Sequence, residues 1–257
     1  MANRIKRIGN KFYDVGTANK SFLQVAKDLK SLGIHNYYFM LEIYDYSLVN
    51  IDPCATNLTR DQISRIMTEC TRNPWYYLRE VCRIPDQGGV GIPFKANRGN
   101  IAQTWLTLHG IDSWLCLPRQ QGKTISFLCL LSWAYSFGTN NSTFIFINKD
   151  SNNAKENLQR LKDIIDCLPE YLRFDQILEE DENGKMVPVF DEKGHIKCHW
   201  TFKKKDELYN PNLKLIVIDE ASMVSEEIAL DILSYGIPVI AMGDLNQLPP
   251  VIGNPFF

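Results

Sequence analysis

The architecture of this chain can be predicted from one segment, Leu117-Pro118-Arg119-Gln120-Gln121-Gly122-Lys123-Thr124. It follows the apolar residues 113–117 and precedes a second apolar run at 125–137, which predicts the order strand, loop, helix. Backbone N–H groups of such a loop, together with the free amides of the next helix, converge on one point and attract an anion. We therefore expect a phosphate-binding loop.

The loop residues fit a nucleoside triphosphate bound together with Mg²⁺. The ammonium of Lys123 would contact the β- and γ-phosphates, and the hydroxyl of Thr124 would ligate Mg²⁺. Gly122 is small enough to let the backbone approach the phosphates, next to Gln121 in the same loop. We predict that these four residues bind ATP and that Thr124 also binds Mg²⁺.

A second motif lies downstream, where the apolar run 215–218 leads into Asp219 and Glu220. Four apolar residues followed by two acids indicate a buried parallel strand that delivers carboxylates at its carboxyl end. We predict that Asp219 holds Mg²⁺ through water and that Glu220 orients and deprotonates the attacking water. Each motif alone is also typical of ordinary structure, a helix start or an acidic turn. Their order and context favour an ATPase.

Strands and helices alternate after residue 100, which predicts an α/β fold with a largely parallel sheet. Further strands are expected at 143–147 and 237–242, and helices at 151–168 and 225–235. We assign residues 101–257 to a P-loop ATPase core. A charged, glycine-punctuated hairpin is expected to interrupt this core at about 175–202.

The first hundred residues are expected to form a mostly helical N-terminal region. An apolar face repeats with helical period at 21–32. Thr59 and Gln62 form a capping-box pattern ahead of a second apolar face. Asn73-Pro74 opens a third helix, with proline at its first position.

Composition limits how the chain could contact DNA. The 257 residues are 45% hydrophobic, so they can bury a substantial core, and the formal charge of −2 gives no general attraction for nucleic acid. Any contact with DNA must therefore use a local basic patch. Candidates are Arg4, Lys6, Arg7, Lys11 and the run Lys203-Lys204-Lys205.

Cysteine usage and the apolar runs predict the compartment. Seven cysteines occur without a Cys-x-x-Cys pair, which indicates a reducing environment. The apolar run at 125–137 is too short to span a bilayer, and the first residues lack the apolar segment of a signal peptide. We expect a cytoplasmic location and no membrane partner.

Four groups of residues between about 21 and 174 belong to one pattern. They are Asn73-Pro74-Trp75-Tyr76, Ile92-Pro93-Phe94 with Asn97-Arg98-Gly99-Asn100, the loop form Arg-Gln-x-Gly-Lys-Thr at 119–124, and Asn148-Lys149-Asp150. In these residues the chain resembles the ATPase region of tailed-phage terminase large subunits, the motors that package DNA into a prohead.

The resemblance to terminases implies a packaging motor that acts on duplex DNA in the host cytoplasm. The usual phosphate-binding loop has an earlier glycine, whose place here is held by Leu117 or Pro118, and the resemblance accounts for this departure. It also implies that Arg119 stabilises charge beside the γ-phosphate and that Gln103 reads the adenine edge. The implied partners are further copies in a homo-oligomeric ring, a portal and a small terminase subunit.

The end of the chain carries a different pattern. Asp219-Glu220-Ala221-Ser222-Met223-Val224 and Gly243-Asp244-Leu245-Asn246-Gln247-Leu248-Pro249-Pro250-Val251 resemble two motifs of superfamily 1 DNA helicases of the exonuclease V alpha-subunit type, from about residue 202 onward. This resemblance implies that Gln247 senses the γ-phosphate and links hydrolysis to movement on single-stranded DNA. Both families build a RecA-like core, with the loop, the acids and the sensor on three strands.

Three hypotheses follow from the mixed pattern. The first is a Mg²⁺-dependent ATP-hydrolysing DNA motor domain, and the second is a helicase fragment stimulated by single-stranded DNA. The third is a nucleotide-binding remnant without useful turnover. We expect no nuclease activity, because the sequence carries no carboxylate-rich nuclease pattern. We also expect this chain to provide neither a second helicase lobe after Pro250 nor the arginine of such a lobe. The mixture indicates a fused or truncated gene product, joined between residues 174 and 202.

Overall fold

The computed structural model describes residues 4–86, 91–118, 120–139, 142–173, 177–190 and 213–244. Their helices and strands are, in chain order, β1 (Ile5–Ile8), β2 (Lys11–Asp14), α1 (Lys20–Ser31), β3 (Glu42–Ile43), α2 (Arg60–Arg72), α3 (Pro74–Tyr76), β4 (Arg83–Ile84), β5 (Ile92–Pro93), α4 (Arg98–Leu108), β6 (Ser113–Cys116), α5 (Lys123–Trp133), β7 (Thr143–Ile147), α6 (Ser151–Asp166), β8 (Leu178–Glu180), β9 (Met186–Pro188), β10 (Leu213–Asp219), α7 (Glu226–Ser234) and β11 (Val239–Gly243). A π-helical turn continues α3 over Tyr77–Val81, and another continues α5 over Ala134–Gly138.

The central sheet confirms the predicted α/β fold. Its four strands are all parallel and lie in the order β6, β11, β10, β7. Strand β6, which forms the apolar run before the loop, is therefore separated by one strand from β10, which ends at Asp219. Because parallel strands end at the same edge of a sheet, the segments after all four strands meet there.

Side chains of alternate residues in the sheet enter two apolar clusters, one on each face. On one face, Leu215 and Val217 of β10 cluster with Phe127 of α5. On the opposite face, Ile216 and Ile218 cluster with Ile232 of α7. The central strand is thus covered on both sides, which explains its continuous apolar run. The expected strand at 143–147 is β7, but it lies at the sheet edge and its residues are only half-buried.

The helices predicted before residue 100 are confirmed. Thr59 and Gln62 form the expected reciprocal capping box at the start of α2, and Asn73 caps α3 through its side-chain oxygen. The structure also has a three-stranded antiparallel sheet, β1-β2-β3, and the short β4-β5 pair, neither of which was predicted from the sequence. The boundary placed at residue 100 falls inside α4.

One apolar cluster joins residues on both sides of that boundary. It contains Phe22 and Tyr76 from the N-terminal region together with Leu128 and Leu161 from α5 and α6. The N-terminal elements therefore pack directly on helices that flank the parallel sheet.

The predicted charged hairpin is present in part, as the antiparallel pair of β8 and β9. The remainder of the predicted excursion, residues 175–176 and 191–202, lies outside the described residues. No helix in the described part of the chain has the length and apolar character needed to cross a bilayer.

Candidate active site

The carboxyl edge of the sheet borders a cavity of about 470 Å³. Lys123 and Thr124 reach it from the first turn of α5, directly after the loop, and Asp219 and Glu220 from the end of β10. The ends of the other two strands also contribute, with Gly243 at the end of β11 and Asn148 and Lys149 after β7. The structure therefore brings together the two motifs that the sequence analysis singled out.

The loop turns sharply into α5 through two residues with left-handed backbone. Gln120 has φ 63° and Gly122 has φ 71°. A Cβ atom at Gly122 would lie 3.3 Å from Ile125 Cγ2, so a side chain there would combine backbone strain with a tight contact. Gly122 therefore allows α5 to begin at Lys123, with the helix amides at the cavity edge.

Helix α4 supports the loop from below. The Asn97 side-chain amide donates to the Gln121 carbonyl at 3.2 Å, while its oxygen caps α4 by accepting from the Asn100 amide. Gly99 packs so closely on Leu117 that a Cβ atom would lie 2.9 Å from Leu117 Cδ1. In the sequence, residues 97–100 were noted only because they belong to the terminase-like pattern. Their position under the loop gives them a structural role.

Gln103, also on α4, lies beneath the loop and is 1% exposed. Its amide nitrogen donates to the Lys123 carbonyl at 3.3 Å and lies 2.9 Å from Met242 Sδ. Its Oε1 atom accepts no hydrogen bond within the described part of the chain. This buried position does not favour the prediction that Gln103 reads an adenine edge, because the side chain would have to leave the core.

The Lys123 ammonium links the ends of two strands. It donates to the Leu117 carbonyl at 2.6 Å and to the Gly243 carbonyl at 2.9 Å. An ammonium has three donors, so one remains for an acceptor in the cavity. The lysine is thereby fixed at the carboxyl edge of the sheet, beside the start of α5.

Thr124 and Asp219 meet directly, although they are 95 residues apart in the chain. The Thr124 hydroxyl donates to Asp219 Oδ2 at 3.0 Å. Burial raises the pKa of the Asp219 carboxyl above its ordinary value, while this hydrogen bond opposes the shift. Hydroxyl and carboxylate oxygens are the ligands that Mg²⁺ takes from proteins, so this pair fits the predicted metal site.

Glu220 has an unusual backbone and an incompletely bonded carboxylate. Its φ is 55°, in the left-handed region, and its N–H donates to Asp219 Oδ1 at 3.1 Å. The Oε2 atom is buried and accepts no hydrogen bond from any residue that the structure describes. Lys149 Nζ lies 3.4 Å from it. Glu220 therefore retains acceptor capacity at the cavity.

Comparison with known proteins adds no family assignment. The chain matches no protein-family model and no curated protein. Both resemblances therefore stay predictions, and the geometry of the cavity is the independent observation.

Two predicted site residues, Arg119 and Gln247, lie outside the described residues, as does the basic run 203–205. In the other predicted basic patch, Arg4 pairs with Asp14 at 2.9 Å, and Lys11 similarly pairs with Glu42. These ion pairs offset two of the patch's four positive charges. This pairing was not predicted from the sequence, because the acids come from later positions in the chain.

Proposed function

We propose that this chain is a Mg²⁺-dependent, ATP-hydrolysing motor domain of the P-loop type that acts on DNA. One observation carries the proposal. The hydrogen bond between Thr124 and Asp219 joins the two motifs at one cavity, which Lys123 and Glu220 also line. Four side chains of the types that phosphoryl transfer requires thus face the same space.

Each of these side chains has a distinct task in this proposal. Lys123 holds phosphate oxygens through its remaining donor, and Thr124 and Asp219 provide oxygen ligands for Mg²⁺. Bound Mg²⁺ would neutralise charge on the phosphates. Glu220, which lines the same cavity, orients a water molecule and accepts its proton.

Action on DNA rests on the resemblance to terminases and on the contacts of helix α4. Asn97 and Gly99, which belong to the terminase-like pattern, contact the loop directly. These contacts favour the terminase-like interpretation of residues 21–174 and hence duplex DNA as the partner. A homo-oligomeric ring, a portal and a small terminase subunit are further partners under the same interpretation.

The first test is steady-state ATP hydrolysis with Mg²⁺, measured without DNA, with duplex DNA and with single-stranded DNA. We expect Lys123→Ala to lower hydrolysis by about 10²-fold or more and to abolish nucleotide binding, because the variant removes the cation at the phosphates. Lys155→Ala is the matched control, since Lys155 is exposed on α6 and lies outside the cavity lining.

Comparing hydrolysis without DNA, with duplex DNA and with single-stranded DNA distinguishes the three hypotheses. Stimulation by duplex DNA supports the packaging motor, whereas stimulation by single strands alone would transfer the assignment to the helicase class. Absence of Lys123-dependent turnover under every condition would identify a nucleotide-binding remnant. Equal hydrolysis by the wild type and Lys123→Ala would contradict the proposed site.

A further inference from the structure

The register of the parallel sheet places Lys149 beside Glu220. Ile147 of β7 pairs with Ile218 of β10. Lys149 lies two positions after Ile147, and Glu220 lies two positions after Ile218. Their side chains meet at 3.4 Å, between Lys149 Nζ and Glu220 Oε2, and both line the cavity. This contact is made by the pairing of β7 with β10, and it does not involve the phosphate-binding loop after β6.

The residues on either side of Lys149 are anchored to α6. Asn148 Oδ1 accepts from the Asn157 side-chain amide at 2.6 Å. Asp150 caps α6, because its Oδ1 accepts from the amides of Asn152 and Asn153 at 2.9 and 2.8 Å. The backbone that carries Lys149 is therefore held between the sheet and the helix.

Glu220 needs such a partner for its orientation. It follows Asp219 directly, and two adjacent carboxylates repel each other. Lys123 is directed to the carbonyls of Leu117 and Gly243. In the described structure, the ion pair of Glu220 is with Lys149.

We propose that Lys149 is a positioning residue that holds the Glu220 carboxylate in the orientation used to activate water. This inference rests on the proposed function, since it concerns the same cavity. The side chains of Lys149 and Glu220 are 39% and 30% exposed, so solvent screens the pair and it adds little to stability. Loss of Lys149 therefore affects turnover rather than folding or nucleotide affinity.

The test compares Lys149→Met and Lys149→Arg with the wild type. We expect Lys149→Met to lower kcat by about 10- to 100-fold, the usual loss when a partner that orients an active-site group is removed. The dissociation constant for ATP should stay within about threefold, because Lys149 acts on Glu220. Lys149→Arg should recover most of the loss, since it keeps the positive charge. Lys155→Met, on the exposed face of α6, is the matched control.

A double variant tests whether Lys149 acts through Glu220. In the Glu220→Gln background, Lys149→Met should cause no further loss of the residual rate, because two residues that act as a unit are not additive. An additional 10-fold loss in that background would overturn the proposal. So would an unchanged or increased kcat in Lys149→Met, or a loss of ATP affinity as large as the loss of kcat.

Crystal structures of the wild type and Lys149→Met give a readout that does not depend on activity. The Glu220 carboxylate should lie beside Lys149 in the wild type and occupy a different position, or several, in the variant. An identical carboxylate position in both would overturn the proposal. If the wild type shows no Lys123-dependent turnover, the proposed function fails, and the crystal structures still decide whether Lys149 positions Glu220.

Discussion

Two glutamates in this molecule, Glu69 and Glu220, show opposite patterns of bonding. Glu69, on α2, is 2% exposed, and its Oε1 accepts from the Tyr44 amide at 3.0 Å and the Asn73 side chain at 2.7 Å. Its Oε2 accepts from the Asp45 amide at 2.9 Å. By contrast, Glu220 lines a cavity, and its Oε2 accepts no hydrogen bond in the described structure and has only the ion pair with Lys149 Nζ at 3.4 Å there.

The difference separates a structural carboxylate from one available for chemistry. Glu69 ties α2 to the segment after β3 and to the cap of α3, so its oxygens are committed. Glu220 keeps acceptor capacity that a water molecule could use. Buried polar atoms are normally hydrogen-bonded, so an exception beside a cavity is informative.

Removing the Glu220 carboxylate should produce the largest effect on turnover. Glu220→Gln keeps the size of the side chain but not the base, so we expect kcat to fall by about 10²- to 10⁴-fold. ATP should still bind, because Lys123, Thr124 and Asp219 are unchanged. The free energy of unfolding should change by less than about 0.5 kcal/mol, since the carboxylate makes few contacts. Steady-state hydrolysis, nucleotide titration and thermal unfolding check these three expectations.

A matched substitution at an exposed glutamate provides the control. Glu182→Gln lies in the turn between β8 and β9 and should leave all three quantities unchanged. Normal hydrolysis by Glu220→Gln would show that another group activates water.

The sequence predicted the parallel sheet because each core strand is a continuous apolar run. Residues 215–218 and 237–242 have this character, and both form strands. The antiparallel sheet was missed for the opposite reason. Strand β1 has the sequence Ile-Lys-Arg-Ile and three of its four residues are exposed, so its composition is that of a polar surface segment.

The site residues that belong to short sequence motifs could be predicted from the sequence. Lys123, Thr124, Asp219 and Glu220 do meet at one cavity. The contact of Lys149 with Glu220 was not predictable, because it depends on the register of β7 against β10. The burial of Gln103 likewise depends on how α4 packs beneath the loop.

Among these carboxylates, substitution of Glu69 should have the largest effect on the free energy of unfolding. Glu69→Ala leaves three donors without their acceptor, two of them backbone amides. We expect the free energy of unfolding to fall by about 3 kcal/mol, after partial compensation by water. The melting temperature should then fall by roughly 6–12 °C. The kcat measured below the unfolding transition should stay near that of the wild type.

The control for Glu69→Ala is Glu182→Ala, whose side chain is exposed and should change stability by less than about 0.5 kcal/mol. Equal melting temperatures for Glu69→Ala and the wild type would show that water replaces the carboxylate without cost. The contrast between the two glutamates would then lose its energetic basis.

Asp219 is the intermediate case, and its substitution should change the stability of the protein without Mg²⁺ less than Glu69→Ala does. It is partly buried, with hydrogen bonds from the Thr124 hydroxyl and the Glu220 amide, yet burial still raises its pKa. The folded state therefore binds a proton more tightly than the unfolded state does. As pH rises from the ordinary aspartate value through the raised pKa, the wild type loses stability.

Asp219→Asn removes this charge and keeps an oxygen for Thr124. Without Mg²⁺ at about pH 7, we expect its melting temperature to exceed that of the wild type by about 1–3 °C. The difference should be smaller at about pH 4, because the raised pKa lets the folded wild type gain a proton at Asp219 more readily than the unfolded state does as pH falls. Adding Mg²⁺ and ATP should stabilise the wild type and not the variant. A variant less stable than the wild type at both pH values would mean that the Asp219 charge is stabilised by its hydrogen bonds, as at Glu69.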